Sequence, residues 1–320
     1  MAWIVGVDEA GYGPNLGPFV MTSVACRVDD AHADGCLWQA LRPAVRRAAD
    51  ADDGRLAVDD SKAVYNTTRG LAALERGVLA ALWRGAASDP LGTFLSHFCA
   101  GSVVTELGGE AWYAGTGGLP GHAPAEEIAA AAARFDEACT AAGVGGWKAC
   151  SVVVCTPRFN ALLDAAGTKG AVLAHALAEL LRAARWLVPA DESLTFHIDK
   201  HGGRNTYTAQ IQDALAADFV QPLREGMSAS VYRVHGLGRE MRLTFRPRAD
   251  SAHFCVALAS MVSKYVRERL MEEFNRFWLE RTPGLKPTAG YPGDAKRFYD
   301  AIRPMAERLG IAEAALWRRK

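Results

Sequence analysis

The chain has 320 residues, half of them hydrophobic and 22% charged, a length and composition that exclude global disorder and support one large domain with insertions or a core plus an appendage. Its 36 Lys and Arg balance 36 Asp and Glu, yet residues 241–320 hold 16 basic against 9 acidic side chains; that end either meets an acidic partner or is a solvated helical surface. No apolar run approaches about 20 residues, and the opening Met1-Ala2-Trp3-Ile4-Val5 reaches Asp8 and Glu9 too early for a signal peptide, so the expectation is a cytoplasmic protein with no membrane insertion.

Residues 3–7 form a short apolar run rich in β-branched side chains, closed by Gly11, Gly13 and Pro14, and residues 19–28 resume as a second run. This predicts strand, glycine loop, strand. Asn66, Thr67 and Thr68 offer N-caps to a helix carrying Leu71, Leu74, Leu79 and Leu82, with Gly85 beyond its end. Residues 151–155 predict a buried strand, followed by helices through Leu163 and from Thr168 through Leu181. Further strands are expected at 194–198, 231–234 and 241–245, and a long helix from 251 to about 278 with Phe254, Leu258, Met261, Tyr265 and Phe274 near one face. Strands early and helices interleaved later favour a mixed α/β sheet. Two stretches read as insertions: 29–53, with a helix expected over 38–49, and 101–146, with a loop at 115–124 and an Ala-rich helix at 125–142. The core is then 1–250, with a helical part at 251–320.

Asp8 and Glu9 end an apolar strand directly before the glycine loop. Side chains alternate along a strand, so both serve one site only if the strand ends or bulges there; otherwise they form an ordinary exposed strand end. Asp199 ends the run Phe196-His197-Ile198, and Asp250 follows the strand at 241–245, where it could equally be an N-cap of the long helix. If these strands share a sheet, one edge gathers carboxylates, the oxygen ligands hard divalent cations prefer, and such a site suits phosphoryl chemistry.

The segment Gly6-Val7-Asp8-Glu9-Ala10-Gly11-Tyr12-Gly13-Pro14 with Gly17-Pro18 closely resembles the opening motif of type 2 ribonucleases H, the ribonuclease HII family. Asp60-Ser61-Lys62 is similar to that family's Asp-Ser-Lys segment, Asp250 with the helix behind it to its fourth acid, and Gly290-Tyr291-Pro292-Gly293-Asp294 to its Gly-Tyr-Pro element. Residues 155–181 also resemble the strand and paired helices before the third acid, which leaves the two insertions unmatched. The resemblance implies a ribonuclease H-like mixed sheet flanked by helices. It implies hydrolysis of the RNA strand of RNA/DNA hybrids, or of the phosphodiester at ribonucleotides embedded in duplex DNA, by two Mg²⁺ or Mn²⁺ ions in a single-chain enzyme. Asp8, Glu9, Asp199 and Asp250 match the metal-binding catalytic acids; Gly11, Tyr12, Gly13, Ser61, Lys62 and Tyr291 match substrate-binding positions.

Two departures stand out. The family's loop carries Arg or Lys where this chain has Tyr12, and the surroundings of Asp199, Lys200-His201-Gly202-Gly203-Arg204-Asn205, are unusual for it. Tyrosine offers a hydroxyl and a ring but no cation, so junction specificity is the property expected to change, unless Tyr12 only packs on a neighbouring helix. The alternatives are a nuclease of the same scaffold with another structured DNA or RNA substrate, and a catalytically silent nucleic-acid-binding relative. His197, Asp199 and His201 either alternate as zinc ligands on one strand face would, or, with Gly202 ending the strand, are paired or solvent-facing histidines. Lys264, Arg267, Arg269, Arg246, Arg248 and Arg318-Arg319-Lys320 either track phosphates or cover apolar surface in solvent. Phe274, Phe277 and Trp278 read as core. Seven cysteines, an odd number without a Cys-x-x-Cys pair, read as buried thiols.

Overall fold

Alternating β-branched and apolar residues at both ends of the glycine loop pair with each other first: β1 (Ala2–Ala10) and β2 (Phe19–Val28) run antiparallel in unbroken register from Ala2 opposite Val28 to Ala10 opposite Val20. The computed structural model describes residues 1–29, 35–65, 70–83, 85, 89–100 and 106–319; the expected caps Asn66, Thr67 and Thr68 lie outside the described residues. In chain order the elements are β1, β2, α1 (Leu37–Ala40), β3 (Val45–Arg46), β4 (Leu56–Ala57), α2 (Ser61–Val64), α3 (Ala72–Leu82), β5 (Asp89–Pro90), α4 (Leu91–Phe98) and β6 (Gly118–Leu119). There follow α5 (Ala125–Ala141), β7 (Gly145–Val154), α6 (Thr156–Ala166), α7 (Gly170–Leu187), β8 (Ser193–Asp199), α8 (Thr208–Leu215), β9 (Phe219–Arg224), β10 (Ser230–His235) and β11 (Met241–Arg246). The chain ends with α9 (Ala249–Ala252), α10 (Phe254–Arg281), α11 (Pro292–Arg308) and α12 (Glu313–Leu316).

Seven strands form one mixed sheet in the order β7-β2-β1-β8-β11-β10-β9. The central three, β1, β8 and β11, are parallel, and the outer pairs are antiparallel. The protein is a mixed α/β sheet flanked by helices on both faces. On one face α10 crosses β1 and β2 together with α3 and α4; on the other, α6, α7 and α8 cover the sheet. A third apolar cluster joins the end of α10 to α11 and α12, and Phe274 and Trp278 are buried in it as expected.

The approach of α10 to the sheet depends on Gly6. A Cβ there would lie 2.1 Å from the main-chain carbon of Cys255 and from the nitrogen of Val256, so any side chain would push the helix off β1. The first turns of α10 thus lie directly against the strand that carries Asp8.

The stretches read as insertions share the α10-side core. Trp38 packs edge-on against Phe254 at 5.3 Å and donates its indole N–H to Val58 O at 2.8 Å, and Phe135 of α5 meets Trp147. The Ala-rich helix is present as Ala125–Ala141. The helix expected over 38–49 is not: α1 stops at Ala40, and Val45–Arg46 pairs with Leu56–Ala57 instead. Pro43 explains this, since it lacks an N–H and biases Arg42 away from helical angles. Within 115–124, Gly118–Leu119 pairs with Asp89–Pro90. Among the described residues, no helix is long and apolar enough to cross a membrane.

Candidate active site

Parallel pairing delivers the acids to one sheet edge. Val7 of β1 lies opposite Ile198 of β8, and Ile198 opposite Phe245 of β11. One step further along are Asp8 and Asp199; β8 ends at Asp199, whereas β1 stays paired with β2 through Ala10, so the strand end or bulge expected at Glu9 is absent. The chain leaving β11 bends through Arg248, whose φ of 54° is left-handed and uncommon for a residue with a side chain. That bend returns α9 to the same edge, where Ala249 N–H donates to Asp199 Oδ1 at 2.8 Å and Asp250 follows. Asp250 is not the N-cap of the long helix. It sits inside α9, and His253 occupies the cap position of α10.

Asp8 is 8% exposed and lies under α10. The hydroxyl of Ser260 is hydrogen-bonded to its carboxylate, and Ser263 Oγ donates to Asp8 O at 3.0 Å. Ser260 also contacts the Ser61 hydroxyl at 3.1 Å, tying α2 to the same point. Asp60 caps α2 by accepting from Lys62 N–H. Neither Ser260 nor Ser263 was singled out from the sequence; their three-residue spacing on the long helix, on the face turned to β1, is the signal that could have found them.

The four acids act on one another. Burial, then the charge of Glu9, pushes the Asp8 carboxyl well above its usual range. Burial and Asp199 push Glu9 up to about 7, while Lys62 opposes this. Asp199 is raised by burial and by Asp250, and Asp250 by burial and Asp60. Uncompensated burial of like charges is unfavourable and is relieved by protonation or by a cation. The donor set is entirely carboxylate oxygen, which suits Mg²⁺ or Mn²⁺. Among the described residues, no three His, Cys, Asp or Glu side chains are yet gathered closely enough to hold a metal ion. The chemistry and charge of the acids fit a divalent cation.

Beside Glu9 opens a cleft lined by Gly11, Tyr12, Gly13, Ser61, Lys62 and Tyr291, with Lys264 and Arg267 of α10 at its wall. Six positions singled out in the sequence therefore meet in one place. Gly11 has φ of 83°, and a Cβ on it would lie 2.5 Å from Arg267 Nε, so only glycine fits. Tyr12 meets Phe19 edge-on at 6.3 Å, and the Lys169 ammonium stands 5.2 Å over its ring. Lys62 is exposed. Tyr291, half exposed, precedes Pro292 at the start of α11, under the Arg267 guanidinium at 5.7 Å. Ser61, by contrast, is buried against Ser260.

Of the basic side chains of α10, Arg267 and Arg269 are buried, while Arg276 is exposed. Arg267 is fully buried, donating to Ala289 O and paired with Glu268, which also holds Lys264 at 2.7 Å. Arg269 is buried against Glu75, whose carboxylate also accepts the main-chain N–H groups of Gly121, His122 and Ala123. His197 stacks on His253, ring centroids 3.6 Å apart, and His201 packs against Tyr207 and Phe245; among the described residues, these histidines gather no metal-binding group. Lys200 Nζ turns away to Asn205 Oδ1 and the carbonyls of Gly226 and Met227. The described cysteines are all free thiols, most of them buried.

The fold and site define a mixed α/β protein with an acidic sheet edge opening on a glycine-loop cleft. No protein-family model and no curated protein matches the chain. Among solved structures, it is similar to the ribonuclease H2 of Pyrococcus horikoshii, at 15% identity and a TM-score of 0.48 over 98% of this chain and 92% of that one. It is also similar to the RNase HII of Archaeoglobus fulgidus, solved in a complex with PCNA, at 15% identity and a TM-score of 0.46 over 99% of this chain and 94% of that one. Bst-RNase HIII, solved with Mn²⁺, shows 15% identity and a TM-score of 0.44 over 99% of this chain and 66% of that one.

Proposed function

We propose that this chain is a divalent-metal-dependent endonuclease of the type 2 ribonuclease H kind, hydrolysing the RNA strand of RNA/DNA hybrids or the phosphodiester at ribonucleotides embedded in duplex DNA. The observation that carries the reading is the meeting of two features: acids from the adjacent parallel strands β1 and β8 and from α9, which follows β11, at one sheet edge, and a cleft beside them lined by Gly11, Tyr12, Gly13, Lys62 and Tyr291. Asp8, Glu9, Asp199 and Asp250 would hold two Mg²⁺ or Mn²⁺ ions, which when bound neutralise charge on the phosphate and activate the attacking water.

The remaining work falls to the chain itself. Glycine at 11 and 13 lets the sugar-phosphate approach the main chain closely. Lys62, exposed at the rim, contributes a cation to a phosphate, and the half-exposed ring of Tyr291 offers a flat apolar surface to a sugar. Ser260 and Ser263 hold the strand end and its carboxylate in place.

The test is a cleavage assay with Mg²⁺ or Mn²⁺ on an RNA/DNA hybrid, a duplex with one ribonucleotide, and an all-DNA duplex. Cutting of either ribonucleotide-containing substrate supports the proposal. Cutting of DNA alone assigns the scaffold to another structured substrate, a reading favoured by Tyr12 in the loop, and saturable binding without cutting makes the protein a silent binder.

A further inference from the structure

The loop that carries Gly11, Tyr12 and Gly13 is held by the far end of the chain. Arg318, fully buried, spends its guanidinium on main-chain carbonyls: Nη2 donates to Gly11 O at 2.8 Å and to Pro14 O, and Nε donates to Pro14 O at 3.0 Å. Its own N–H donates to Asn15 O at 2.8 Å, and Asn15 Nδ2 returns a bond to Arg318 O at 3.1 Å. One face of the guanidinium lies 4.5 Å from the Phe159 ring. The next residue of α6, Asn160, fixes the tail: its Nδ2 donates to Ala314 O and Trp317 O, and its Oδ1 accepts from Arg319 N–H.

Burying a guanidinium is strongly unfavourable unless its donors are satisfied. Here Nε and Nη2 are satisfied by the glycine loop, while the third nitrogen, Nη1, is buried without a partner. Burial and the neighbouring Arg267 charge loosen the Arg318 proton, lowering its pKa to about 9, so the group remains charged at neutral pH. Since a trans peptide points its C=O and the following N–H in opposite directions, drawing the Gly11 carbonyl to Arg318 turns the Tyr12 N–H away from the guanidinium. Arg267 Nε packs against Gly11, 2.5 Å from where a Cβ there would stand. Two buried guanidinium groups thus stand under the loop that carries Tyr12: Arg267, paired with Glu268, and Arg318, which is bonded to main-chain carbonyls.

We propose that Arg318 is a positioning residue for substrate binding: by holding the Gly11 and Pro14 carbonyls it fixes the shape of the loop, and with Arg267 it supplies from beneath the positive charge that draws a nucleic-acid phosphate to the cleft. The phosphate clause rests on the nuclease reading; the clamp rests on the hydrogen bonds alone.

The test compares wild type, Arg318→Met and Arg318→Lys without metal, by hydrogen exchange of residues 10–16 and by fluorescence anisotropy with a labelled RNA/DNA hybrid in EDTA. Arg318→Met is expected to speed exchange in that segment and to weaken hybrid binding about tenfold, with exchange in the middle of α10 unchanged. Arg318→Lys, which keeps the charge but not the fork, falls between. In Arg318→Ala, added methylguanidinium restores slow exchange, a rescue that loss of packing alone does not allow. Unchanged exchange and affinity in Arg318→Met overturn the proposal, and if that variant fails to fold, Arg318→Lys with wild-type loop exchange and affinity does so. Loop exchange that responds at position 318 in a protein that neither binds nor cuts the hybrid retains the clamp and removes the nuclease reading.

Discussion

Asp8 carries a charge that its surroundings resist: burial and Glu9 both favour its neutral form, and the hydrogen bond from Ser260 only partly offsets them. Asparagine has nearly the same shape, keeps an oxygen for Ser260 and removes the repulsion. Asp8→Asn is therefore expected to fold at least as stably as wild type in thermal melts while losing turnover by about a thousandfold or more, equivalent to roughly 4 kcal/mol of transition-state stabilisation. A variant with near-normal turnover would contradict the role given to Asp8. Tyr12 poses a finer question, because its ring already lies beneath the Lys169 ammonium and its hydroxyl feels Glu9 and Arg204. Tyr12→Arg sets a fixed cation into the loop itself. The expected outcome is a larger ratio of kcat/KM for a duplex with one ribonucleotide over an all-DNA duplex; an unchanged ratio makes Tyr12 incidental to discrimination.

The contact between α10 and β1 puts those residues in register, and Gly6 is where it is tightest. Gly6→Ala places a methyl 2.1 Å from the main chain of Cys255 and Val256. The cost is expected at or above the upper end of the about 1–3 kcal/mol typical of overpacking, read from the urea midpoint, with activity falling further because Ser260 and Ser263 move relative to Asp8. At the same junction His253, stacked on His197, is held neutral by burial and by Arg246, with its pKa lowered to about 4. A depressed histidine contributes stability that is full above about 6.5 and is lost as pH falls toward 4. Wild type should thus lose more stability between pH 7 and 5 than His253→Phe, which keeps a ring and cannot titrate; parallel curves would show that the stack does not control acid stability. The sequence made these elements legible where local pattern and tertiary demand agree: the β-branched runs of β1 and β2, the apolar stripe of α10, the Ala-rich α5. It misled at 38–49, where charged and alanine-rich composition suggested a helix that Pro43 interrupts, and it hid β9, an edge strand with Pro222 inside it and Phe219 and Leu223 exposed. The buried pair of Glu75 and Arg269 left no mark in local pattern because its members lie 194 residues apart.

At the scale of the whole molecule, acids brought together from residues 8, 9, 199 and 250 must be held against their own repulsion, and the surrounding packing bears that cost. Their placement was legible as three strand ends; that β1, β8 and β11 lie side by side was not, because strand order depends on long-range pairing rather than local pattern. A ligand that binds only the folded protein stabilises it by mass action, about 2.7 kcal/mol at one hundred times its dissociation constant. Mg²⁺ or Mn²⁺ is accordingly expected to raise the melting temperature of chelator-treated protein by several degrees, since about 1 kcal/mol corresponds to roughly 2–4 °C in domains somewhat smaller than this one. KCl at matched ionic strength is the control, because screening alone also softens like-charge repulsion. Asp8→Asn should begin from an equal or higher melting temperature and show little further rise with the divalent ion. An equal rise with KCl and with Mg²⁺ in wild type, or an undiminished Mg²⁺ effect in Asp8→Asn, would mean that the acidic edge is not where the cation acts, even in a protein that cuts its substrate.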